Sequence, residues 1–145
     1  MIRLALSQDL KPIINIDDLA QADPPRLKFI NRVLAARQCY VVEQEKIIKG
    51  YGALEYSFYD HGFISMLYIH KTFRQQGFGT QMMRYFESIC QTKKIFTSTN
   101  QSNKPMQALL KSIEYQPSGI IENLDEGDPE LVYWKRLNIK QRHPV

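Results

Sequence analysis

Apolar positions along the chain follow two different periods, and together these predict a protein that mixes strands with helices. Short β-rich or alternating runs mark strand candidates, whereas apolar residues spaced three and four apart mark helix candidates. The predicted strands cover residues 2–6, 39–43, 47–56, 62–70, 95–99, 119–121 and 131–134. We therefore expect an α/β protein.

Three helices are predicted from helical spacing. Asp23 and Pro24 are typical of a helix start, and one apolar face then continues to about residue 37. The helix after residue 78 has an apolar stripe of Phe78, Met82, Phe86, Ile89 and Cys90. Its other face carries Gln81, Arg84, Glu87 and Gln91. The helix after Pro105 has Met106, Leu109, Leu110 and Ile113 on one face. Residues 11–20 are ambiguous between helix and irregular structure.

Residues 39–43 and 47–56 are predicted to form an antiparallel hairpin, because only three polar residues separate the two runs. Gly50 and Gly52 thin one face of the second run. Glycines inside a strand indicate a bulge, a close neighbour or space for a bound molecule.

The segment between residues 62–70 and the next helix has the features of an anion site. It reads Arg74-Gln75-Gln76-Gly77-Phe78-Gly79-Thr80. Unpaired N–H groups and the helix dipole both favour an anion at a helix N-terminus, and glycines let the anion approach the backbone. The segment lacks the Gly-Lys-Ser/Thr of a nucleoside triphosphate loop and the third glycine of a dinucleotide fold. A glycine turn without any ligand is the alternative.

Length and composition predict one domain over residues 1–145. The chain is 43% hydrophobic and carries no cluster of cysteine and histidine with zinc spacing. Cys39 and Cys90 lie among apolar residues, so we expect core thiols of a reducing compartment rather than a disulfide. Since no apolar run is long enough for a membrane span and no signal-peptide core is present, we predict a cytoplasmic protein with no membrane partner.

The net charge of +4 permits an anionic partner without identifying one. The 19 basic residues are scattered along the chain. Lys135, Arg136, Lys140 and Arg142 gather near the end of the sequence. We interpret them as a solvated tail and expect no nucleic-acid partner.

The segment of residues 74–80 resembles the coenzyme A pyrophosphate loop of the GCN5-related N-acetyltransferases (GNAT), whose pattern is Arg/Gln-x-x-Gly-x-Gly/Ala. Arg74, Gly77 and Gly79 match it, although the family often has proline where Lys71 stands and glycine where Gln75 stands. The predicted order of elements is similar to the family's over nearly the whole chain. The resemblance implies a single-domain GNAT-type fold with a mixed, mostly antiparallel central sheet flanked by helices.

The same resemblance implies transfer of an acetyl group from acetyl-CoA to a primary amine by direct attack in a ternary complex, with no metal. The implied cosubstrate-binding residues are Leu67, Ile69, Arg74, Gln75, Gln76, Gly77, Phe78, Gly79, Thr80, Asn100 and Asn103. The backbone of Leu67 and Ile69 would pair with the pantetheine arm, and a backbone N–H near Tyr68 or Ile69 would stabilise the oxyanion. Asn100 and Asn103 fit helix capping equally well.

The residues that would act on the acceptor carry a weaker signal. Glu55 is the candidate base, and an outward-facing glutamate on a half-exposed strand is its alternative. We expect His70 to secure the turn by a hydrogen bond. For His61 we expect a solvated turn residue, with a role as base as the alternative. The family's usual tyrosine acid, seven residues after its asparagine, corresponds to Leu110. Tyr133, Tyr115 or water would then protonate the thiolate, or activity would be impaired.

Residues 122–130 hold five carboxylates and no basic residue. Such a loop would attract a cationic acceptor, or it would be a plain connection that Gly127 and Pro129 shape. We expect a small-molecule or peptide amine as acceptor and a monomer or homodimer. An acyl-CoA-binding module with weak or no turnover is the second interpretation.

Overall fold

The protein is described by a computed structural model that covers residues 1–138. Its strands are β1 (Ile2–Leu4), β2 (Cys39–Gln44), β3 (Ile47–Phe58), β4 (His61–Ile69), β5 (Lys94–Asn100), β6 (Gln116–Ile121) and β7 (Glu130–Arg136). Its helices are α1 (Leu10–Ile16), α2 (Pro24–Ala35), α3 (Phe78–Ile89) and α4 (Lys104–Ser112). Short 3-10 turns cover Ser7–Asp9 and Lys71–Phe73. Lys140 and Arg142 of the predicted basic tail lie outside the described residues.

Seven strands form one mixed sheet in the order β1-β2-β3-β4-β5-β7-β6. The pairs β1–β2, β2–β3, β5–β7 and β6–β7 are antiparallel, and β4–β5 is parallel. Helix α3 connects the parallel pair, as expected because parallel neighbours need a crossover. The predicted α/β class with a mostly antiparallel sheet and flanking helices is confirmed.

The described chain forms two compact units. The first comprises Met1–Leu54 and Met66–Tyr85, and the second comprises Glu55–Ser65 and the described residues from Phe86 onward. In the first unit, side chains of α1 and α2 pack in one core with β2 and β3. Its fully buried members include Ile13, Ile30, Val33, Val41 and Tyr51. The ambiguous residues 11–20 thus contain a helix, and Pro12 is accommodated because it lies in the first turn.

The second unit has its own core of fully buried side chains from α3, β5 and α4. These include Phe86, Cys90, Ile95 and Leu110. A Cβ added at Gly62 would lie 2.4 Å from the Sγ atom of Cys90, so the strand and the end of the helix pack too closely for any side chain there. Leu110 is 0% exposed and therefore belongs to the core, as its place in the apolar stripe predicted.

Glu87 corrects the predicted polar face of α3. It is buried, with 9% exposure, and accepts hydrogen bonds from Tyr115 Oη at 3.0 Å and Lys135 Nζ at 3.2 Å. A carboxylate is tolerated in such a position when a cation and a hydroxyl compensate its lost hydration. The helical period alone could not reveal these partners, since they come from β7 and the residue before β6.

Both early strand connections are two-residue turns with left-handed backbone. Glu45 and Lys46 have φ of 55° and 63°, and Tyr59 and Asp60 have φ of 51° and 64°. These angles are typical of the type I′ turns that match the twist of antiparallel strands. The predicted hairpin of β2 and β3 is confirmed by its register, which pairs Tyr40 with Gly52.

Gly50 marks a close neighbour. A Cβ at this position would lie 2.6 Å from the backbone oxygen of Tyr68 and 2.5 Å from Ile69 Cδ1. The register of β2 and β3 also shifts between Val42 and Glu43, opposite this glycine. Glycines in this strand were predicted to mark a bulge, a close neighbour or space for a bound molecule. At Gly50 the structure shows both the close neighbour and the bulge.

Both cysteines are buried and free, which confirms the prediction of core thiols. Burial raises the pKa of the Cys39 thiol to about 12, so the reactive thiolate is scarce at neutral pH. None of the helices within residues 1–138 is long and apolar enough to cross a membrane.

Candidate active site

The loop of residues 74–80 connects the end of β4 to the start of α3. Arg74, Gln75, Gln76 and Gly77 are exposed, whereas Phe78 is buried and fixes the first turn of the helix. His70 secures the preceding turn, because its Nδ1 atom accepts a hydrogen bond from Thr72 N at 3.3 Å. The structural role predicted for His70 is thus confirmed.

Two residues of this loop have left-handed backbone. Gly77 has φ of 89°, and Gln75 has φ of 62°. Glycine adopts such angles without strain, whereas a residue with a Cβ pays roughly 1–2 kcal/mol. The backbone of Gln75 therefore explains why glycine suits this position in the loop pattern.

The first turn of α3 supplies free backbone donors. Gln81 N donates to Gly77 O at 3.0 Å, and this is the first bond of the helix. The N–H groups of Phe78, Gly79 and Thr80 come before it and have no helical acceptor. Since α3 is 12 residues long, its dipole adds positive potential at the same place. The loop can therefore hold an anion such as a pyrophosphate.

Arg74 is held beside the loop by two contacts. Its Nε atom donates to the backbone oxygen of Ile69 at 2.8 Å, and its Cζ atom lies 5.4 Å from the centre of the Tyr68 ring. Both contacts hold the guanidinium against the end of β4. The backbone of Ile69 was predicted to pair with the pantetheine arm, and its carbonyl keeps a second lone pair that could accept a further hydrogen bond.

The end of β4 extends past its pairing with β5. The register joins Gly62 to Ile95, Phe63 to Phe96 and Ile64 to Thr97. At the last pair, Thr97 Oγ1 donates to Ile64 O at 2.9 Å.

Three predicted residues lie beyond this point of β4, namely Leu67, Tyr68 and Ile69. Each is half-buried, so solvent still reaches part of this end of the strand. An extended cosubstrate arm could reach their backbone for the same reason.

The junction between β5 and α4 was also predicted to contact the cosubstrate. Asn103 Oδ1 accepts from Met106 N at 3.1 Å and thereby caps α4. Asn100 Nδ2 donates to Asp125 Oδ2 at 2.9 Å and to Asp128 O at 3.2 Å. The capping interpretation thus holds for Asn103, and contact of either asparagine with the cosubstrate stays a prediction.

The acidic loop of residues 122–130 is shaped by the same bonds. Asp128 accepts from Ser102 N at 3.0 Å and from Ser102 Oγ at 2.6 Å. Gly127 has φ of 71°, and Asp128 N donates to Asp125 O at 3.2 Å. Ser98 Oγ donates to Glu130 Oε2 at 2.7 Å. Three of the five carboxylates are therefore engaged within the protein, while Glu122 and Glu126 are exposed.

The candidate base Glu55 is buried, with 7% exposure. The alternative of a half-exposed, outward-facing glutamate is therefore wrong, while the catalytic role stays a prediction. His61 is not a solvated turn residue either. Its ring lies 5.6 Å from that of Phe96, and its buried Nδ1 atom has no hydrogen-bond partner within residues 1–138.

The two tyrosines considered as acids differ in their surroundings. Tyr115 is 4% exposed and donates its hydroxyl to Glu87, so it serves the core of the second unit. Tyr133 is half-buried on β7, where it pairs with Thr97 and with Pro117. A role of Tyr133 as the acid stays a prediction.

A buried polar cluster in the first unit was missed by sequence reasoning. Asp17 is 0% exposed and accepts hydrogen bonds from Tyr51 Oη at 2.5 Å and Arg26 Nη1 at 2.7 Å. Burial raises the pKa of Tyr51 well above its usual range, so its hydroxyl remains a donor. The three residues come from α2, β3 and the residue after α1. No spacing in the sequence connects residues so far apart.

Within residues 1–138, no group of three or more histidine, cysteine, aspartate or glutamate side chains could hold a metal ion.

Comparisons with known proteins agree on one fold. The profile of the acetyltransferase (GNAT) family matches residues 7–115. An acetyltransferase of the GNAT family from Bacillus cereus ATCC 10987 is 32% identical, with a TM-score of 0.86, and the match covers 95% of this chain and 97% of that one. No curated protein matched the sequence of this chain.

Two further solved structures share the fold at lower identity. The ribosomal-protein-S18-alanine N-acetyltransferase from Escherichia coli is 14% identical with a TM-score of 0.81, and the match covers 100% of this chain and 98% of that one. YncA from Salmonella typhimurium, solved with its cofactor acetyl-CoA, is 14% identical with a TM-score of 0.75. That match covers 100% of this chain and 97% of YncA.

Proposed function

This chain belongs to the acetyltransferase (GNAT) family, whose reaction is acetyl transfer from acetyl-CoA, and we propose that its acceptor is a primary amine. The amine attacks the thioester directly while both substrates are bound. It arrives as an ammonium cation and must lose a proton before it can attack. The acceptor is a small molecule or a peptide.

The loop of residues 74–80 is the observation that carries this proposal. Residues 74–77 of the loop are exposed, the loop leads into a 12-residue helix whose first N–H groups are unpaired, and Gly77 has a backbone conformation that favours glycine. A Cβ at Gly77 would meet only Gln81 Nε2, at 4.0 Å, so the space above the loop is open. These features support a pyrophosphate held by the N–H groups from Gln75 to Thr80, with Arg74 as the neighbouring cation.

The end of β4 has the second role. The backbone of Leu67 and Ile69 would pair with the peptide-like pantetheine arm, in the manner of an added strand. The N–H of Tyr68 would donate to the thioester oxygen as negative charge develops there. The half-burial of these residues beyond the last β5 pair supports both roles.

Glu55 is the proposed base, which takes the proton of the ammonium directly or through water. Its burial supports the role, because catalytic bases commonly lie in sites withdrawn from bulk water. For Glu55→Gln we expect the turnover number to fall by roughly 100- to 1,000-fold at neutral pH. Steady-state kinetics give the turnover number, and calorimetry should find unchanged affinity for CoA. Turnover like that of the unaltered protein would contradict the assignment.

Tyr133 is the proposed acid for the leaving thiolate. Because a thiol has a pKa of about 8.5, protonation helps only modestly, and we expect a small effect of Tyr133→Phe. Leu110 occupies the position where the family commonly has its tyrosine, and it is fully buried.

The second candidate function is an acyl-CoA-binding module with weak or no turnover. Leu110 favours it, since the usual acid is replaced by a core residue, and the hydroxyl of Tyr115 is engaged by Glu87. Release of free thiol from acetyl-CoA over a panel of primary amines separates the two functions. Thiol release with at least one amine supports the transferase, whereas tight CoA binding without thiol release supports the binding module.

A further inference from the structure

The buried cluster of Asp17, Arg26 and Tyr51 has acceptors that are fully engaged. Asp17 Oδ2 takes hydrogen bonds from Tyr51 and Arg26. Asp17 Oδ1 takes bonds from the backbone N–H groups of Leu19 at 3.1 Å and Ala20 at 3.3 Å. A carboxylate has about four lone-pair sites, so this one has no capacity left for a ligand.

In the described part of the chain, the guanidinium of Arg26, in contrast, makes hydrogen bonds through only one of its three nitrogen atoms. Every polar contact it makes within residues 1–138 runs through Nη1, to Asp17 at 2.7 Å, Tyr51 Oη at 3.4 Å and Met66 Sδ at 3.8 Å. The N–H groups on Nε and Nη2 have no acceptor in that part of the chain. Since its side chain is 20% exposed, these donors are partly withdrawn from bulk water yet still reachable.

The position of Arg26 in the helix indicates that its charge is not there for helix stability. It is the third residue of α2, where the helix dipole opposes a cation, and the first turn contains no acidic residue. Asp17 and Tyr51 hold the side chain in this unfavourable position. A guanidinium fixed in this way presents a planar pair of donors, which matches a carboxylate.

The guanidinium lies beside the part of β4 to which we assigned the reaction. Met66, which Arg26 contacts, directly precedes Leu67 and Tyr68 in the strand. The Tyr68 ring is 6.0 Å from that of Tyr51, and both Met66 and Tyr68 pack against the core of the first unit. A group bound to Arg26 would therefore be close to an amine that attacks next to the Tyr68 backbone.

We propose that Arg26 binds a carboxylate of the acceptor, so that the amine substrate is an amino acid whose carboxylate lies near its amine. This inference rests on the proposed acetyl transfer to an amine. It narrows the acceptor class, because a simple alkylamine would leave the free donors of Arg26 without a partner.

The test compares α-amino acids with their own carboxamides as acceptors, by thiol release from acetyl-CoA. Each pair keeps the side chain and the position of the amine. The carboxylate is replaced by a neutral amide, which also lowers the pKa of the amine and so favours attack by the carboxamide at neutral pH. We expect kcat/KM to favour the acids by about 10- to 100-fold, the value of a hydrogen-bonded charge pair. In Arg26→Gln, the KM for the acid should rise by a similar factor, while the kcat for the acid and the kinetics of the carboxamide stay within threefold.

Two control variants separate a specific role of Arg26 from a general effect of charge and from a loss of folding. Lys28→Gln removes an exposed cation from the same helix and should leave the preference unchanged. Arg26→Lys keeps a cation for buried Asp17 but lacks the planar donor pair, so it should fold, bind CoA normally and lose most of the preference.

The results separate this inference from the proposed function. Thiol release without a preference for the acids, or with the same preference in Arg26→Gln and Arg26→Lys, would overturn the role of Arg26 and leave acetyl transfer standing. Tight CoA binding without thiol release on any amine would overturn both.

Discussion

The loop of residues 74–80 and the junction of residues 98–103 each place polar groups at the start of a helix, but those groups have different partners. At the junction, Asn103 caps α4, and Asn100 and Ser102 donate to the acidic loop of residues 122–130. In the loop of residues 74–80, the first N–H groups of α3 precede its first hydrogen bond, which Gln81 makes. Gly77 also leaves the backbone open there.

This difference indicates which of the two helix starts is built for a ligand. Polar groups that already bind one another stabilise the fold, and a ligand must displace them before it can use them. The unpaired N–H groups at the start of α3 have no protein acceptor within residues 1–138, so a ligand can bind them without breaking a hydrogen bond within the protein. This difference supports the proposal that the loop of residues 74–80 binds the pyrophosphate and that the polar groups of the junction mainly stabilise the fold.

The largest expected effect comes from Gly77→Asp. A carboxylate beside the pyrophosphate and strain at φ of 89° should together lower the affinity for CoA roughly 100-fold, as measured by calorimetry. Gly127→Asp is the matched control, because Gly127 also has a left-handed backbone, with φ of 71°, and open surroundings. It should cost similar stability and leave CoA binding within threefold. Equal CoA affinity in both variants would remove the distinction between the two regions.

Asp128→Ala tests the opposite side of the comparison. Loss of the bonds from Ser102 N and Ser102 Oγ should lower the free energy of unfolding by roughly 1–2 kcal/mol, as measured by urea denaturation. CoA affinity should stay within threefold. Glu126→Ala removes an exposed carboxylate of the same loop and should change stability by less than about 0.5 kcal/mol. A large loss of CoA affinity in Asp128→Ala would contradict the structural role of the junction.

Asn103→Ala separates capping from contact with the cosubstrate. Without the bond to Met106 N, the free energy of unfolding should fall by about 1 kcal/mol, and CoA affinity should change less than threefold. Asn103→Ser keeps a capping oxygen and should restore most of the stability. A tenfold loss of CoA affinity in both variants would instead establish that the asparagine amide contacts CoA.

The smallest expected effect is a gain. Gln75→Gly relieves a left-handed residue, with φ of 62°, and should stabilise the protein by roughly 0.5–1 kcal/mol. Lys46→Gly makes the same change at φ of 63° in the β2–β3 turn and should give a similar gain. Thermal unfolding measures both. If only Lys46→Gly stabilised the protein, strain at Gln75 would be excluded as the reason for glycine in the loop pattern.

Much of the fold could be predicted from short stretches of the sequence. Strand and helix boundaries follow from apolar periods and from start signals such as Asp23-Pro24, because these act over a few residues. This approach was wrong for Glu87, because the groups that stabilise its buried carboxylate, the Tyr115 hydroxyl and the Lys135 ammonium, lie 28 and 48 residues away in the sequence. Helical periodicity describes only neighbours within one helix, so it could not predict these contacts.

The site divides in the same way. The loop of residues 74–80 is contiguous, so its glycines and arginine could be recognised in the sequence. Asn100 donates hydrogen bonds to two residues of the acidic loop that lie 25 and 28 positions further along the sequence. Tyr51 donates to Asp17, which lies 34 positions before it. These side chains became neighbours only through the pairing of strands and the packing of helices. Their functional interpretation therefore depends on the structure.

The most direct test of the central claim is a titration of the ¹⁵N-labelled protein with CoA, followed by the backbone amide resonances of Gln76, Gly77, Phe78, Gly79 and Thr80. We predict that these resonances shift with CoA and that pantetheine, which lacks the pyrophosphate, leaves them in place. Saturable CoA binding that moves other resonances and leaves these five unchanged would contradict the assignment of the pyrophosphate to this loop.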